Sequence, residues 1–363
     1  MAELQKLTSY QLNDLPDEVI LKVLNFLDIK ELLLCGQVSQ RLRAIANDES
    51  LWQKLNLCRG QNVPYDFIKK AVENGCQYLS LAGSGVLNLT EISEPPFNLK
   101  YLNMSQEERL FPNKAPNGQR LPKMVQNCNS LQKLSVATLP LDSDDIQYIC
   151  QNGQTLQVLD MAGCDIDPCN LTNLLQDLFR NCSHLTELNI SSEFYGYNLL
   201  DPHIQALVDN LTPTILKINL SYQTNLKDEH LKILVERCNK ITHLDLFVIE
   251  QITNDSVQII IKHLNTTLEK IDLTFTSVDY AALHELKSMP KLKTLIICDG
   301  DYLGDSEGFE NLKQQLPNIS IAFGPHFRKL SKAVSYELSL VHVASPFKRS
   351  RLFHSYFVNV QTG

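Results

Sequence analysis

The side chains in this sequence that could perform covalent or metal chemistry are its ten cysteines and nine histidines. Cysteine and histidine pairs at short spacing bind zinc tetrahedrally, and a thiol activated by a histidine can act as a nucleophile. The sequence has no Cys-x-x-Cys pair, and Cys164 and Cys169, which are separated by four residues, have no second pair of ligands. It also lacks a glycine-rich phosphate loop. We therefore predict no catalytic residue, no metal site and no cofactor, and we interpret the cysteines as structural.

Three of the cysteines begin the same recurring phrase, Cys-x-x-Leu/Ile-x-x-Leu-x-aliphatic. The copies start at Cys128, Cys182 and Cys238 and are centred on Leu134, Leu188 and Leu244. Most repeat centres lie roughly 23 to 30 residues apart, which is the period of leucine-rich repeats. The longer interval between Leu102 and Leu134 holds an inserted loop around residues 112–118. Weaker copies without the cysteine are centred on Leu79, Leu102, Leu159, Ile218, Ile271, Leu295 and Ile319.

These repeats predict an α/β fold, a right-handed solenoid in which each repeat pairs one strand with one amphipathic helix. The clearest helix covers residues 228–237. The strands should form a parallel sheet on the concave side, with the leucines buried and the alternate side chains facing outward. The outward positions include Lys133, Ser135, Val158, Lys217, Lys270 and Thr274. The outward residues that we select as candidates for contacting a protein substrate are Asp160, Glu187, Asn189, Asn219, His243, Asp245, Phe247 and Asp272.

Bulk properties exclude several other classes of function. The net charge of −8 gives no support to a nucleic-acid role. No apolar run approaches the roughly 20 residues that span a bilayer. The first residues lack the basic-then-apolar order of a secretory signal, so we expect reduced thiols and a cytoplasmic or nuclear location, or both.

The N-terminal segment predicts three short helices ahead of the repeats. Pro16 suits a first helical turn, and Asp17 and Glu18 favour the positive end of the helix dipole. Roughly 45 residues of short helices cannot bury a sufficient core alone. The helices are apolar on more than one side, which predicts a partner surface or contact with the first repeat.

This segment resembles an F-box. The resemblance rests on Leu15-Pro16-Asp17-Glu18, on Leu27, Leu32 and Val38, and on Asp48-Glu49-Ser50-Leu51-Trp52, all in the family's order and spacing. The sequence departs from the family at Val38-Ser39-Gln40-Arg41-Leu42, where many members carry a tryptophan. An F-box followed by such repeats resembles the F-box/leucine-rich-repeat substrate receptors of SCF ubiquitin ligases. Within that family, Pro290 to Leu295 and Leu316 to Ile321 resemble the S-phase kinase-associated branch.

The resemblance implies a non-catalytic receptor that binds the SCF adaptor and, through it, cullin and the RING subunit. The repeats would hold a protein substrate for ubiquitination and proteasomal degradation. Whether the substrate must be phosphorylated and whether a small accessory protein completes the site stay open. We expect no nucleic-acid or membrane partner. The residues implied at or supporting the adaptor interface are Leu15, Pro16, Glu18, Ile20, Leu24, Leu27, Leu32 and Trp52.

We predict five segments and retain two rival functions. One rival is a leucine-rich-repeat scaffold or inhibitor outside ubiquitin chemistry, and the other is an enzyme with its own active cysteine, which the motif search disfavours. The basic, aromatic C-terminal tail is predicted to fold back along the concave face. The segments are an N-terminal tail (1–12), the F-box (13–57), a linker (58–75), the repeats (76–326) and a C-terminal tail (327–363).

Overall fold

The computed structural model describes residues 14–27, 29–58, 65–73, 75–84, 97–105, 125–126, 128–166, 171–192, 198–298 and 306–323. The predicted N-terminal and C-terminal tails, and with them the proposed fold-back, lie outside these residues. The whole of the predicted inserted loop at 112–118 and the aspartate at position 28 also lie outside them.

Parallel strands, one from each repeat, form the main sheet of the described residues. Neighbours pair in sequence order, so that Leu188 pairs with Leu159 on one side and with Ile218 on the other. The helices connect successive strands, as expected for a right-handed solenoid. This confirms the predicted α/β solenoid. The strands of this sheet are β1 Lys54–Asn56, β2 Tyr78–Ser80, β3 Tyr101–Asn103, β4 Lys133–Ser135, β6 Val158–Asp160, β8 Glu187–Asn189, β9 Lys217–Asn219, β10 His243–Asp245, β11 Lys270–Asp272, β12 Thr294–Ile297 and β13 Ser320–Phe323.

Helices pack on the outer side of the sheet and bury the leucine row between the two layers. Leu134, Leu188 and Leu244 are all at most 2% exposed, because each is the central residue of a strand and faces the helices. A small second sheet pairs β5 Pro140–Leu141 with β7 Asp165–Ile166. A 3-10 helix spans His284–Ser288. The helices of the repeats are α5 Tyr65–Glu73, α6 Ser143–Gln151, α7 Leu171–Asn181, α8 Asp201–Asn210, α9 Asp228–Arg237, α10 Asn254–Leu264, α11 Tyr280–Leu283 and α12 Ser306–Gln315.

The N-terminal helices form a small bundle that continues directly into the solenoid. Trp52 is buried, donates from Nε1 to the carbonyl oxygen of Ala46 at 2.8 Å, and contacts the ring of Phe67 in α5. The bundle and the first repeat therefore share one core, which explains how so short a segment is held. The bundle consists of α1 Asp17–Leu24, α2 Ile29–Val38, α3 Gln40–Ala46 and α4 Glu49–Trp52.

The transition between the two parts begins earlier than the sequence suggested. Strand β1 already pairs with β2, although we placed its residues inside the F-box. The range 58–75, which we assigned to a linker, contains helix α5, in which Ile68 and Ala71 are fully buried. Among the helices of the described ranges, none combines the length and apolar character that a bilayer span requires.

Candidate functional site

The concave side of the sheet forms a groove that runs across the strands of the middle repeats, from β3 to β11. Each strand contributes its first and third residues, because the second faces the helices. We call these the first row and the third row. The first row contains Tyr101, Lys133, Val158, Glu187, Lys217, His243 and Lys270, and the third row contains Asn103, Ser135, Asp160, Asn189, Asn219, Asp245 and Asp272.

The third row is a ladder of side chains that hydrogen-bond to the backbone just after each strand. The Oδ1 atoms of Asn219, Asp245 and Asp272 each accept a hydrogen bond from the N–H group two residues further along, at 3.0, 3.1 and 2.9 Å. Asp160 and Asn189 accept in the same way. Such short-range bonds turn the chain out of the strand. The third row is therefore part of the fold as well as part of the groove.

This arrangement corrects our expectation for four of the predicted substrate contacts. Asp160, Asn219, Asp245 and Asp272 do line the groove, but each is at most 9% exposed. Each of these side chains accepts at least one hydrogen bond within the repeats. The Ser221 hydroxyl, for example, donates to Asp245 at 2.6 Å. A substrate can touch their edges but cannot take over their hydrogen bonds without loosening the turns.

Burial raises the pKa of the three aspartates in the third row. Loss of solvation raises the pKa of Asp160 and of Asp245 above the usual range. The pKa of Asp272 is raised to about 8, mainly because the carboxyl group is buried and also because the neighbouring Asp245 repels its negative charge. Asp272 is therefore mostly protonated at neutral pH, and it contributes little negative charge to the groove.

The first row is more accessible and carries the charges that face the groove. Lys217 forms an ion pair with Glu187 at 2.9 Å, and both side chains are 27% exposed. His243 lies on the next strand, where its Nδ1 is 2.9 Å from the Thr242 hydroxyl. Glu187, Asn189 and His243 are thus half-buried groove residues, as the sequence predicted. Their contact with a substrate stays a prediction.

Phe247 does not face the groove, and its selection as a substrate contact is wrong. It is 2% exposed and packs edge-on between Tyr222 and Phe275, at centroid distances of 5.3 and 5.7 Å. The strand ends at Asp245, so the alternation that we extended to position 247 no longer holds. The backbone turns there instead, and Val248 has a left-handed φ of 57°.

The cysteines at the repeat phase are buried, and their thiols are poor nucleophiles. Burial raises the pKa of Cys128, Cys182 and Cys238 to about 12, and it does the same for Cys76, which lies at a different position of its repeat. A thiol with so high a pKa carries almost no thiolate at neutral pH. Within the described ranges, no group of three or more His, Cys, Asp and Glu side chains could hold a metal ion.

The F-box helices carry a second candidate site, an exposed apolar surface. Six of the eight large apolar side chains found exposed among the described residues lie on α1, on α2 and just after α1. Phe26, which follows α1, is the most exposed of them at 79%. We call the set the F-box apolar surface: Val19, Val23, Phe26, Leu33, Leu34 and Val38.

The structure separates the residues implied for the adaptor interface into two groups. Ile20, Leu24, Leu32 and Trp52 are at most 5% exposed and pack inside the bundle, so they support the surface and do not form it. Pro16 and Glu18 are exposed, and Leu15 and Leu27 are half-buried. Sequence reasoning missed the exposed set because α1 is apolar on adjacent positions, and spacing alone cannot say which face turns inward.

A protein-family model described as the SKP2 LRR domain matches residues 66–333, which is most of the chain. The chain belongs to the SKP2-type leucine-rich-repeat family. In this SKP2-family chain, a second model, described as F-box-like, matches residues 12–58. An F-box joined to such repeats is the general architecture of SCF substrate receptors, which are typically non-catalytic adaptors.

Solved structures that are distantly similar to this SKP2-family chain include the following two. The leucine-rich repeat-containing protein LegL7 from Legionella pneumophila is 15% identical, with a TM-score of 0.41, over 76% of this chain and 86% of that chain. A chain of the yeast Rad7 and Elc1 complex is also 15% identical, with a TM-score of 0.26, over 55% of this chain and 71% of that chain. These similarities are too distant to inform function.

Proposed function

We propose that this chain is the substrate-recognition subunit of an SCF ubiquitin ligase. Its F-box apolar surface binds a Skp1-type adaptor, which links it to cullin and the RING subunit. Its groove holds a protein substrate, which is ubiquitinated and then degraded by the proteasome.

The F-box apolar surface is the observation that carries this proposal. A folded bundle normally turns its large apolar side chains inward, and here Ile20, Leu24 and Leu32 already fill the interior. Phe26, Leu34 and Val38 are nevertheless 79, 61 and 74% exposed. Burying apolar surface gains about 25 cal/mol per Å², so a partner that covers this patch would be bound strongly.

The proposed contribution to ubiquitin transfer is proximity and not bond making. The repeat thiols with a pKa of about 12 are poor candidates for carrying ubiquitin as a thioester. A receptor that holds a substrate lysine near another subunit's thioester raises the effective concentration of the reacting groups. That role needs a rigid frame between the two binding sites, and the shared core around Trp52 supplies one.

Reconstitution with purified subunits tests the proposal. The full chain is mixed with a Skp1-type adaptor, cullin and RING subunit and analysed by size-exclusion chromatography. We expect one complex that contains all four chains. If the full chain elutes apart from the adaptor at micromolar concentrations, the protein is better described as a repeat scaffold outside ubiquitin chemistry.

A further inference from the structure

The groove has a local charge that differs from the charge of the whole chain. The chain carries a net charge of −8. The first row of the groove nevertheless contains Lys133, Lys217 and Lys270, against the single acid Glu187. The carboxyl groups of the third row are buried and accept hydrogen bonds from backbone N–H groups. The accessible charges in the groove are therefore mainly lysine ammonium groups.

Two of these lysines have no acidic partner to neutralise them directly. Lys217 is compensated by Glu187 at 2.9 Å. No ion pair within 4 Å involves Lys133 or Lys270 among the described residues. Lys270 interacts electrostatically with Asp245 and Asp272, but both carboxyl groups are buried and accept backbone N–H groups, and neither forms a direct ion pair with it. One lysine without a direct ion pair, Lys133 or Lys270, therefore lies towards each end of the groove.

We propose that the groove binds an extended acidic segment of the substrate protein, whose carboxylates contact Lys133 at one end and Lys270 at the other. This inference rests on the proposed function, in which the groove is the substrate site. It adds the chemical class of the segment that is recognised. Opposite charges across the contact select the partner and speed its encounter.

The distance between the two lysines fixes the spacing of the acidic groups. Strands β4 and β11 are five steps apart in the sheet order. At about 4.8 Å per step, the two positions are about 24 Å apart. An extended chain rises about 3.3 Å per residue, so acidic residues about seven positions apart match them. The segment crosses the strands and lies along the first row.

Separate carboxylates fit this site better than one phosphate group does. A tightly bound phosphate needs several donors that converge, and arginine is the preferred side chain. No arginine lines the groove between β3 and β11 in the described part of the chain, and the two lysines without a direct ion pair lie far apart. Each can contact its own carboxylate.

A peptide-binding measurement on the full chain tests the inference. The probe is a fluorescein-labelled Gly/Ser peptide with a pair of glutamates at each end, about seven residues apart. The groove variant is Lys133→Gln/Lys270→Gln. The matched control is Lys232→Gln/Lys262→Gln, which removes two exposed lysines from the outer helices α9 and α10. Thermal melts check folding, and Lys133→Arg/Lys270→Arg keeps both charges.

We expect the peptide to bind the native chain and the groove variant to bind about tenfold more weakly at low salt. The outer-helix control and the arginine variant should stay within about twofold of the native chain. Absent binding, equal losses in the groove and outer-helix variants, or equal binding of a peptide with lysines in place of glutamates would each overturn the inference. Adaptor binding of the same proteins is measured in parallel. If adaptor binding is intact and the peptide result negative, only the acidic-segment inference fails, whereas lost adaptor binding by the native chain contradicts the proposed function.

Discussion

Asp245 and Asp272 are register partners on the neighbouring parallel strands β10 and β11, and both are buried. Each carboxyl group accepts a backbone N–H two residues further along its own chain. The two acids therefore share one desolvated region, in which a second negative charge is unfavourable. Neighbouring repeats place the neutral residue Asn219 or Asn189 at the same position. Aspartate and asparagine thus occupy equivalent positions in neighbouring repeats, so the effect of the charge can be tested by exchanging them.

The first prediction is that the stability of Asp272→Asn relative to the native chain increases as the pH rises from about 4 to about 8. The pKa of Asp272 is raised from 3.8 to about 8 in the folded chain, so the folded state keeps a proton that the unfolded state loses. The free energy of unfolding therefore falls as pH rises through this window and is flat above it. Asparagine keeps the hydrogen-bond acceptor and removes the proton, so near pH 8 the variant should be more stable by a few kcal/mol.

Urea unfolding across this pH window measures the effect. Asp209→Asn, at an exposed position on α8, is the control and should leave the pH dependence unchanged. The converse variant Asn219→Asp should destabilise the chain more at pH 8 than at pH 4. Parallel pH profiles for Asp272→Asn and the native chain would contradict the proposed proton binding.

A second prediction concerns a histidine that replaces the usual helix-capping side chain. His203 is buried at the start of α8, and its Nδ1 accepts the backbone N–H of Leu200 at 3.2 Å. Burial lowers the pKa of His203 below its ordinary value of 6.5. Its contribution to stability is therefore complete above pH 6.5 and is lost as the pH falls through the lowered folded pKa. His203→Gln keeps an acceptor and should remove this acid sensitivity.

Melting temperatures recorded between pH 5 and 8 decide the point. His184→Gln, at an exposed position before β8, is the matched control and should melt like the native chain at each pH. His203→Ala should lose about 1 kcal/mol at pH 8, since it leaves the Leu200 N–H without its acceptor. An unchanged acid slope in His203→Gln would mean that another group titrates.

A third prediction ranks three substitutions on and behind the concave sheet. Leu244→Ala leaves a cavity behind β10 and should cost about 2–5 kcal/mol. Asp245→Ala leaves the Phe247 N–H without its acceptor and removes one of the two acceptors near the Ser221 hydroxyl, so it should cost about 1–3 kcal/mol. Lys232→Ala on the exposed side of α9 should stay within about 0.5 kcal/mol. If denaturant melts show a larger loss of stability for Lys232→Ala than for Leu244→Ala, the inner and outer faces of the solenoid are the reverse of those described.

The spacing of leucines was enough to predict the solenoid, because the central residue of every strand has one possible environment. Leu188 and Leu244 had to be buried whatever surrounded them. The third row could not be predicted in the same way. Alternation places Asp245 on the concave face, but it does not reveal that its carboxyl turns back to the Phe247 N–H. That bond also ends the strand, which is why Phe247 lies inside the protein.

The F-box shows a second limit of sequence reasoning. Ile20 and Val19 are adjacent, equally apolar and compatible with the same helix, so the pattern fits either face. Contacts between α1 and α3 turn Ile20 inward and leave Val19 40% exposed. The excess of apolar residues was enough to predict that a partner surface exists. The residues that form this surface could be identified only from the packing of the helices.

The most direct test of the account is the affinity of a Skp1-type adaptor for two leucine variants of the full chain. Leu34 in the F-box is 61% exposed and Leu200 in the repeats is 56% exposed, so Leu34→Ser and Leu200→Ser remove matched apolar surface. Calorimetry should show that Leu34→Ser weakens adaptor binding at least about tenfold, because truncating an interface anchor costs about 1–2 kcal/mol or more. Leu200→Ser should bind like the native chain. Equal affinities for both variants would contradict the assignment of the F-box apolar surface as the adaptor site.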